Sequence, residues 1–163
     1  MHVLLMRHAD ASVRDPVHLP DDTLRPLTPK GRKTQARVCR ALRKRDLIPT
    51  VIFSSPWMRA WQTAEIAARL LLPGGGEPVE CPALADEPDL HRLAACVGEQ
   101  PPEAVVALVG HEPWLGELAS LLLTGEPHRV AIDFPKSGVL GLEAPELKAG
   151  KGVLRFFLRP KLL

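Results

Sequence analysis

The sequence opens on Val3-Leu4-Leu5-Met6, a continuous apolar run that leads directly into Arg7-His8-Ala9-Asp10. A short apolar run without alternation is typical of a strand that is buried on both faces, as the strands of parallel sheets are. The polar and charged residues would then lie just beyond the carboxyl end of that strand. Because ligands of open α/β sheets bind at that edge, this stretch predicts a fully buried strand and the position of a site.

Two later segments repeat this arrangement of an apolar strand, a polar motif and a helix. They are the strands predicted over Thr50–Phe53 and Ala104–Val109. Helices are predicted from Thr28-Pro29 to about Arg45 and from Ser55-Pro56 to about Leu72, since a capping residue followed by proline favours a helix start. Another helix is predicted from Glu112-Pro113 to about Thr124-Gly125. Weaker patterns predict a strand near Val79, a helix over Asp89–Val97, and strands over Arg129–Phe134, Val139–Leu142 and Val153–Leu158.

The alternation of strands and helices in the first two thirds of the chain indicates parallel β-α-β units. The fold class is therefore predicted as α/β, a three-layer α/β/α sandwich with a mostly parallel central sheet. A chain of 163 residues is a comfortable length for one domain. We expect a single domain over residues 1–163.

Composition narrows the classes of partner and compartment. The formal net charge is only +2, which does not indicate a nucleic-acid or membrane partner. Cys39, Cys81 and Cys96 are far apart, without the spacing of a disulfide framework or zinc site. The apolar run at the start is too short for a signal peptide or a membrane span. These features predict free thiols and a cytoplasmic protein.

The polar motifs that follow the three strongest strands bring two arginines and two histidines to one edge of the predicted sheet. These residues are Arg7, His8, Arg59 and His111. Arg59 falls in the first turn of its helix, where the helix dipole favours an anion and disfavours a cation. A shared bound anion would explain its position. A solvated or ion-paired arginine is the alternative.

The motifs resemble those of the histidine phosphatase superfamily, also called phosphoglycerate-mutase-like, and they occur in the order of that family. Four segments carry the resemblance: Leu5-Met6-Arg7-His8-Ala9, Leu27-Thr28-Pro29-Lys30-Gly31, Ser54-Ser55-Pro56-Trp57-Met58-Arg59-Ala60-Trp61-Gln62-Thr63-Ala64 and Val109-Gly110-His111-Glu112-Pro113. Within the superfamily, the short chain and the opening Arg7-His8-Ala9-Asp10-Ala11 are similar to phosphohistidine phosphatases of the SixA type. That type keeps the bare sandwich and lacks the large helical insertion of the mutases.

The resemblance implies that His8 is a covalent nucleophile and that Arg7, Arg59 and His111 bind the phosphoryl group. Such chemistry needs a neutral imidazole, and neighbouring guanidinium groups disfavour the imidazolium form. Arginine forks match the equatorial oxygens over which phosphoryl transfer spreads charge. The resemblance implies no cofactor and no metal. The implied substrate is a phosphorylated molecule, with phosphohistidine in a protein as the leading choice.

The identity of a general acid stays open. Larger members of the family carry a glutamate after the third strand, and here that region contains Asp86, Glu87 and Asp89 without the family motif. One of them could donate a proton, although acidic loop residues are commonly just solvated. The absence of a clear acid favours a leaving group that departs easily, such as a phosphorylated imidazole, over an alkoxide.

Two other functions use the same residues. The chain could hydrolyse small phosphate esters or anhydrides, or it could be a non-catalytic phosphate-binding module. The predicted helix after Thr28 carries Arg37, Arg40 and Lys44 on roughly one face. A solvated outer face is the ordinary interpretation of such residues, and a docking surface for an acidic protein partner is the alternative.

Overall fold

The computed structural model describes residues 1–163, which form one six-stranded sheet with helices on both faces. The elements are β1 (His2–Arg7), α1 (Pro29–Arg43), β2 (Val51–Ser54), α2 (Met58–Leu71), β3 (Val79–Glu80), α3 (Leu90–Val97), β4 (Val105–Gly110), α4 (Trp114–Thr124), β5 (Val139–Glu143) and β6 (Val153–Leu158). Short 3-10 turns lie at Asp22–Leu24, Pro73–Gly75, Pro82–Leu84 and Pro160–Leu162. No helix is both long and apolar enough to cross a membrane.

The strand order in the sheet is β3-β2-β4-β1-β5-β6. The first four strands run parallel to one another, and β5 and β6 add antiparallel strands beside β1. The prediction of a mostly parallel central sheet is therefore confirmed. Because β1, β2 and β4 are neighbours and parallel, the loops that follow them meet at one edge of the sheet.

The opening apolar run explains the three layers. Leu4 and Met6 point into a core that α1 and α2 cover, whereas Val3 and Leu5 point into a second core that α3 and α4 cover. All four side chains are at least 98% buried, as expected for a strand that is covered on both faces. The predicted three-layer sandwich is confirmed, and its central strand is the one that carries the first motif.

One predicted strand is wrong, because Arg129–Phe134 has no strand structure. Both neighbouring positions of β1 are already filled by β4 and β5. The backbone polar groups of the segment bond to side chains instead of to a strand. The N–H of Val130 donates to Ser120 Oγ at 3.0 Å, and the Phe134 carbonyl accepts from Arg7 Nη1 at 2.5 Å.

The helix starts agree with the sequence at α1 and differ from it at α2. Thr28 caps α1, since its Oγ1 accepts a hydrogen bond from the N–H of Gly31. Ser55 does not cap α2, which begins at Met58 after Trp57 and has no side-chain cap. The Ser55 hydroxyl instead lies 2.8 Å from His111 Nε2, and it also accepts a hydrogen bond of 3.3 Å from the N–H of Trp57, the residue that precedes α2.

Candidate phosphoryl-binding site

The four predicted site residues come together at the carboxyl edge of the sheet. Arg7 ends β1 and pairs in register with Gly110, the last residue of β4. His8 and His111 therefore follow neighbouring strand ends, and their ring centroids are 5.2 Å apart. Arg59 is the second residue of α2, which follows β2 on the other side of β4.

His8 is fixed by bonds to its own loop. Its Nδ1 lies 2.7 Å from the carbonyl oxygen of Ala9, so Nδ1 carries the proton and donates it, because a carbonyl only accepts. Nε2 makes no hydrogen bond to the protein and is left as the basic nitrogen of the ring. The backbone of the loop is held as well, since the N–H of Ala9 donates to Thr63 Oγ1 at 2.9 Å.

The surroundings of His8 keep its ring neutral. Burial is the main reason that its pKa falls to about 4, and the positive charges of Arg59, Arg7 and Lys136 lower it further. The hydrogen bond to the Ala9 carbonyl opposes this shift without cancelling it. The side chain is only 7% exposed, so a neutral, nucleophilic imidazole is the stable form at neutral pH.

Each arginine is anchored through one end of its guanidinium group. Arg7 Nη1 donates to the carbonyl of Phe134. Arg59 Nη1 donates to the backbone carbonyl of Asp22 at 2.9 Å and lies 3.3 Å from its carboxylate. The Nε atoms of both arginines are buried and have no hydrogen-bond partner in the protein. Both cations thus keep donors that an anion can satisfy.

His111 is more deeply buried than His8 and is also neutral. Burial, followed by the charges of His8, Arg59 and Arg7, lowers its pKa to about 2. Its Nε2 is engaged with Ser55 Oγ, and its Nδ1 is buried without a hydrogen-bond partner. The ring packs against Trp57 with centroids 4.6 Å apart. His111 therefore acts as a neutral hydrogen-bonding group rather than as a cation.

Of the three acidic residues considered as proton donors, Asp86 and Asp89 are engaged in surface interactions. Asp89 caps α3 and accepts hydrogen bonds from the N–H groups of His91 and Arg92. Those bonds, the one from Arg92 first, lower the pKa of Asp89, whereas a general acid needs a raised pKa. Asp86 is exposed and pairs with Arg92 at 3.6 Å, and Glu87 is exposed and its carboxylate makes no hydrogen bond or ion pair. Asp86 and Asp89 line one pocket together with His111, so the low pKa of Asp89 and the ion pair of Asp86, rather than distance, argue against proton donation.

Glu112 is an acid of a different kind, and sequence reasoning missed it. Burial raises its pKa to about 7, the negative charges of Asp133 and Glu117 add to this shift, and the positive charge of Arg7 opposes it. Its Oε1 is buried without a hydrogen-bond partner. Glu112 is thus half protonated near neutral pH. Its position directly after His111, in the motif that follows β4, was the only feature of the sequence that could have indicated a role.

Sequence reasoning also missed the residues that orient the site, which are Ser55, Asp22 and Phe134. Ser55 lies in the motif that follows β2. Its interpretation as a helix cap gave no indication of its contact with His111. Arg59 forms an ion pair with Asp22, which is the alternative that the sequence left open. This ion pair leaves Nε of Arg59 without a hydrogen-bond partner. Phe134 contributes only a backbone carbonyl, which no side-chain pattern reveals.

The contact between Ser55 and His111 leads to a prediction. We expect Ser55→Ala to lower kcat/KM by roughly 10- to 100-fold, the usual effect of removing a residue that orients a functional histidine. KM for a small substrate should change less than kcat. Ser54→Ala is the matched control, because Ser54 is equally buried and its hydroxyl bonds only to the backbone carbonyl of Ser55. Equal losses in the two variants would mean that the Ser55 hydroxyl has no special role.

The low pKa values of His8 and His111 predict acid sensitivity of the fold. An unfolded histidine binds a proton near pH 6.5, whereas folded His8 does so only near pH 4, so the unfolded state takes up more protons between these values. The free energy of unfolding should therefore fall as the pH is lowered from about 6.5 to 4, by about 3 kcal/mol at most for His8. Urea denaturation at several pH values measures this. His8→Asn should flatten the dependence, and the exposed control His91→Asn should not.

Comparisons with known proteins agree with this geometry. The family model for the histidine phosphatase superfamily (branch 1) matches residues 3–86. A solved structure of the protein histidine phosphatase SixA in complex with tungstate superposes with a TM-score of 0.80 at 25% sequence identity, covering 99% of each chain. SixA from Agrobacterium tumefaciens superposes with a TM-score of 0.74 at 25% identity, covering 98% of this chain and 97% of that one.

A curated relative is also similar in sequence. An uncharacterized protein of Picosynechococcus sp. is 34% identical over 146 residues, which are 88% of this chain and 86% of the relative. The resemblance predicted from the four motifs is confirmed by these matches, and so is the phosphoglycerate-mutase-like fold class.

Proposed function

The chain belongs to the histidine phosphatase superfamily (branch 1) and is thereby a phosphatase in class, and from this premise we propose that it works without a metal and forms a covalent phosphohistidine at His8. The substrate that we propose is phosphohistidine carried by a protein. We place the whole activity in one domain over residues 1–163, acting in the cytoplasm without a cofactor.

The observation that carries the proposal is the state of His8. A nucleophilic histidine needs an unprotonated nitrogen that faces the substrate and a second nitrogen that is held still. The bond from Nδ1 to the Ala9 carbonyl fixes the tautomer with Nε2 unprotonated, and burial beside Arg59 and Arg7 keeps the ring neutral. These two features together prepare Nε2 for attack on phosphorus.

The proposed reaction has two steps. In the first, His8 Nε2 forms a bond to phosphorus while the bond from phosphorus to the leaving group breaks, and the leaving group departs with that electron pair. A substrate phosphohistidine whose other ring nitrogen carries a proton then leaves as neutral histidine. Arg7, Arg59 and His111 hold the three equatorial oxygens, whose charge is largest in the transition state. In the second step a water molecule attacks the phosphoryl group, His8 leaves as the neutral imidazole, and the water gives up a proton to solvent.

The choice of phosphohistidine follows from the leaving group. The imidazole of a phosphohistidine departs with little assistance. The alkoxide of an alkyl phosphate, in contrast, needs a proton donor in order to leave. The acidic residues that follow the third strand are a helix cap and exposed surface residues. The similar structure of SixA is that of a protein histidine phosphatase, which supports the same choice here.

Hydrolysis of small phosphate esters is the second candidate, and Glu112 is the observation that favours it. Burial raises the pKa of this carboxyl to about 7, which is in the range of a proton donor, and the charge of Arg7 acts on it. A non-catalytic phosphate-binding module is the third candidate. Binding of phosphate alone would not require the observed His8 tautomer, in which Nε2 is unprotonated.

A substrate panel tests the proposal. We expect kcat/KM to be highest for a protein phosphorylated on histidine, lower for phosphoramidate, and lowest for sugar phosphates. Tungstate, a tetrahedral oxyanion, should inhibit all these reactions competitively. A preference for sugar phosphates would overturn the substrate assignment in favour of the second candidate. Tight binding of tungstate without turnover of any member of the panel would support the binding module.

A further inference from the structure

Helix α1 presents a stripe of positive charge that the chemistry at His8 does not use. Between Pro29 and Arg45 the chain has eight lysine and arginine residues and no aspartate or glutamate. Five of these residues recur at intervals of three and four, which places them along one side of the helix. This basic stripe consists of Lys30, Lys33, Arg37, Arg40 and Lys44, all of them exposed.

No residue of the stripe forms an ion pair within the protein. The structure contains eleven ion pairs, and none of them includes a residue of α1 or of the basic stripe. Arg37 is the one member with a hydrogen bond from its side chain, to the carbonyl of Pro160. A helix with many charges of one sign repels itself, so acidic partners at neighbouring turns are the usual arrangement. Here no such partners are present, and the side chains are free to pair with acidic groups of another molecule.

The stripe begins beside the site. Thr28, which caps α1, donates through Oγ1 to a carboxylate oxygen of Asp10 at 3.0 Å, and Asp10 is two residues from His8. From there the 15 residues of α1 extend for about 22 Å. A protein that covers about 800 Å² of this surface, as in an ordinary interface, could therefore reach the site and contact the stripe at the same time.

We propose that the basic stripe binds an acidic surface on the protein that carries the phosphoryl group, next to its phosphohistidine. The inference rests on the proposed function and adds the charge of the partner to it. A protein is favoured over a nucleic acid as the partner. The whole chain carries a net charge of only +2, and the eight lysine and arginine residues between Pro29 and Arg45 exceed this, so the rest of the chain is net acidic. The acidic remainder of the chain would repel a nucleic acid that extends beyond α1. Opposite charges on the two proteins would steer association and raise its rate.

Two synthetic peptides test the proposal. Both carry phosphohistidine, and they differ in a flanking segment that is rich in glutamate in one and in glutamine in the other. The test variant is the triple substitution Lys33→Glu, Arg40→Glu and Lys44→Glu, at three exposed side chains that make no hydrogen bond within the protein. The control makes the same change in charge away from the stripe, through Arg129→Glu, Lys148→Glu and Lys151→Glu, the first two of which lose exposed ion pairs with Glu126 and Glu146. These residues lie near the end of α4, where Gly150 bonds to Leu121.

We expect the stripe variant to lower kcat/KM for the glutamate peptide by roughly tenfold or more at low salt. The glutamine peptide and phosphoramidate should be hydrolysed as by the wild type, and the control variant should lose less than about twofold. Added salt should weaken the wild-type preference for glutamate, since it screens exposed charges. Equal losses for both peptides, or no loss for either, would overturn the proposal.

Binding measured by fluorescence anisotropy separates docking from catalysis. The wild type should bind the unphosphorylated glutamate peptide, and the stripe variant should not. If this binding is present but no phosphohistidine is hydrolysed, the docking surface stands and the proposed activity fails. If an oligonucleotide or vesicles of anionic lipid compete with the glutamate peptide and bind more tightly through the stripe, the assignment to a protein partner is wrong.

Discussion

Substitution of His8 by alanine is expected to abolish turnover, with a loss in kcat of at least about 10⁴-fold, as is usual when a covalent nucleophile is removed. The reason is that Nε2 of His8 is the atom that bonds to phosphorus in the proposed mechanism, and no neighbouring group replaces it. His111 is close enough to approach the phosphoryl group, but its Nε2 is engaged with Ser55. Steady-state kinetics with phosphoramidate measure the loss.

Two further variants keep this prediction informative. His8→Asn preserves much of the volume of a buried side chain, so a fold that fails in His8→Ala can still be examined. His91→Ala changes an exposed histidine of α3 and should retain full activity. Activity of a folded His8→Asn protein near the wild-type level would show that His8 is not the nucleophile.

The second large effect is expected at Arg59, which we predict to be required for kcat more than for folding. Arg59→Ala should lower kcat/KM by about 10²- to 10³-fold, as the loss of a preorganised donor to a developing oxyanion does. Arg59→Lys should recover only part of this loss, because an ammonium group cannot bind two oxygens as a fork. The inhibition constant for tungstate should rise in parallel.

Arg59 also has structural contacts, and the control has to account for them. Its guanidinium group lies 4.7 Å from the centroid of the Trp57 ring and pairs with Asp22. Arg69→Ala removes an exposed arginine of the same helix and is expected to leave kcat/KM unchanged. Urea denaturation compares the stability of the folded Arg59→Ala and Arg69→Ala proteins. If the two are equally stable and Arg59→Ala has normal activity, Arg59 has no part in binding the phosphoryl group.

The sequence predicted the frame of this protein well because the central strands are apolar on both faces. Val3–Met6 could only be a strand with a layer on each side, and the same pattern at Ala104–Val109 identified its neighbour β4. The motifs follow these strands directly, so the strand directions alone brought His8 and His111 to one edge. The segment Arg129–Phe134 resembles a strand in its alternating residues, but both positions beside the central strand β1 are filled and its backbone bonds to side chains of other segments.

The finer contacts of the site could not be predicted because they join residues that are distant in sequence. The bond between Ser55 and His111 spans 56 positions, and that between Arg7 and the Phe134 carbonyl spans 127. The raised pKa of Glu112 depends on its burial, which no local pattern encodes. Conversely, the charge stripe on α1 was visible in the sequence, but its lack of acidic partners emerged only once the whole surface was known.

The central claim is that a phosphoryl group passes through His8, and trapping the intermediate tests it most directly. The protein is mixed with phosphoramidate, quenched in alkali, in which phosphohistidine survives, and digested for mass spectrometry. The account predicts a phosphoryl group on the peptide that contains His8, attached at Nε2 in the nitrogen-15 spectrum, and none in His8→Asn. A phosphoryl group on another residue, or full turnover by His8→Asn without any intermediate, would contradict it.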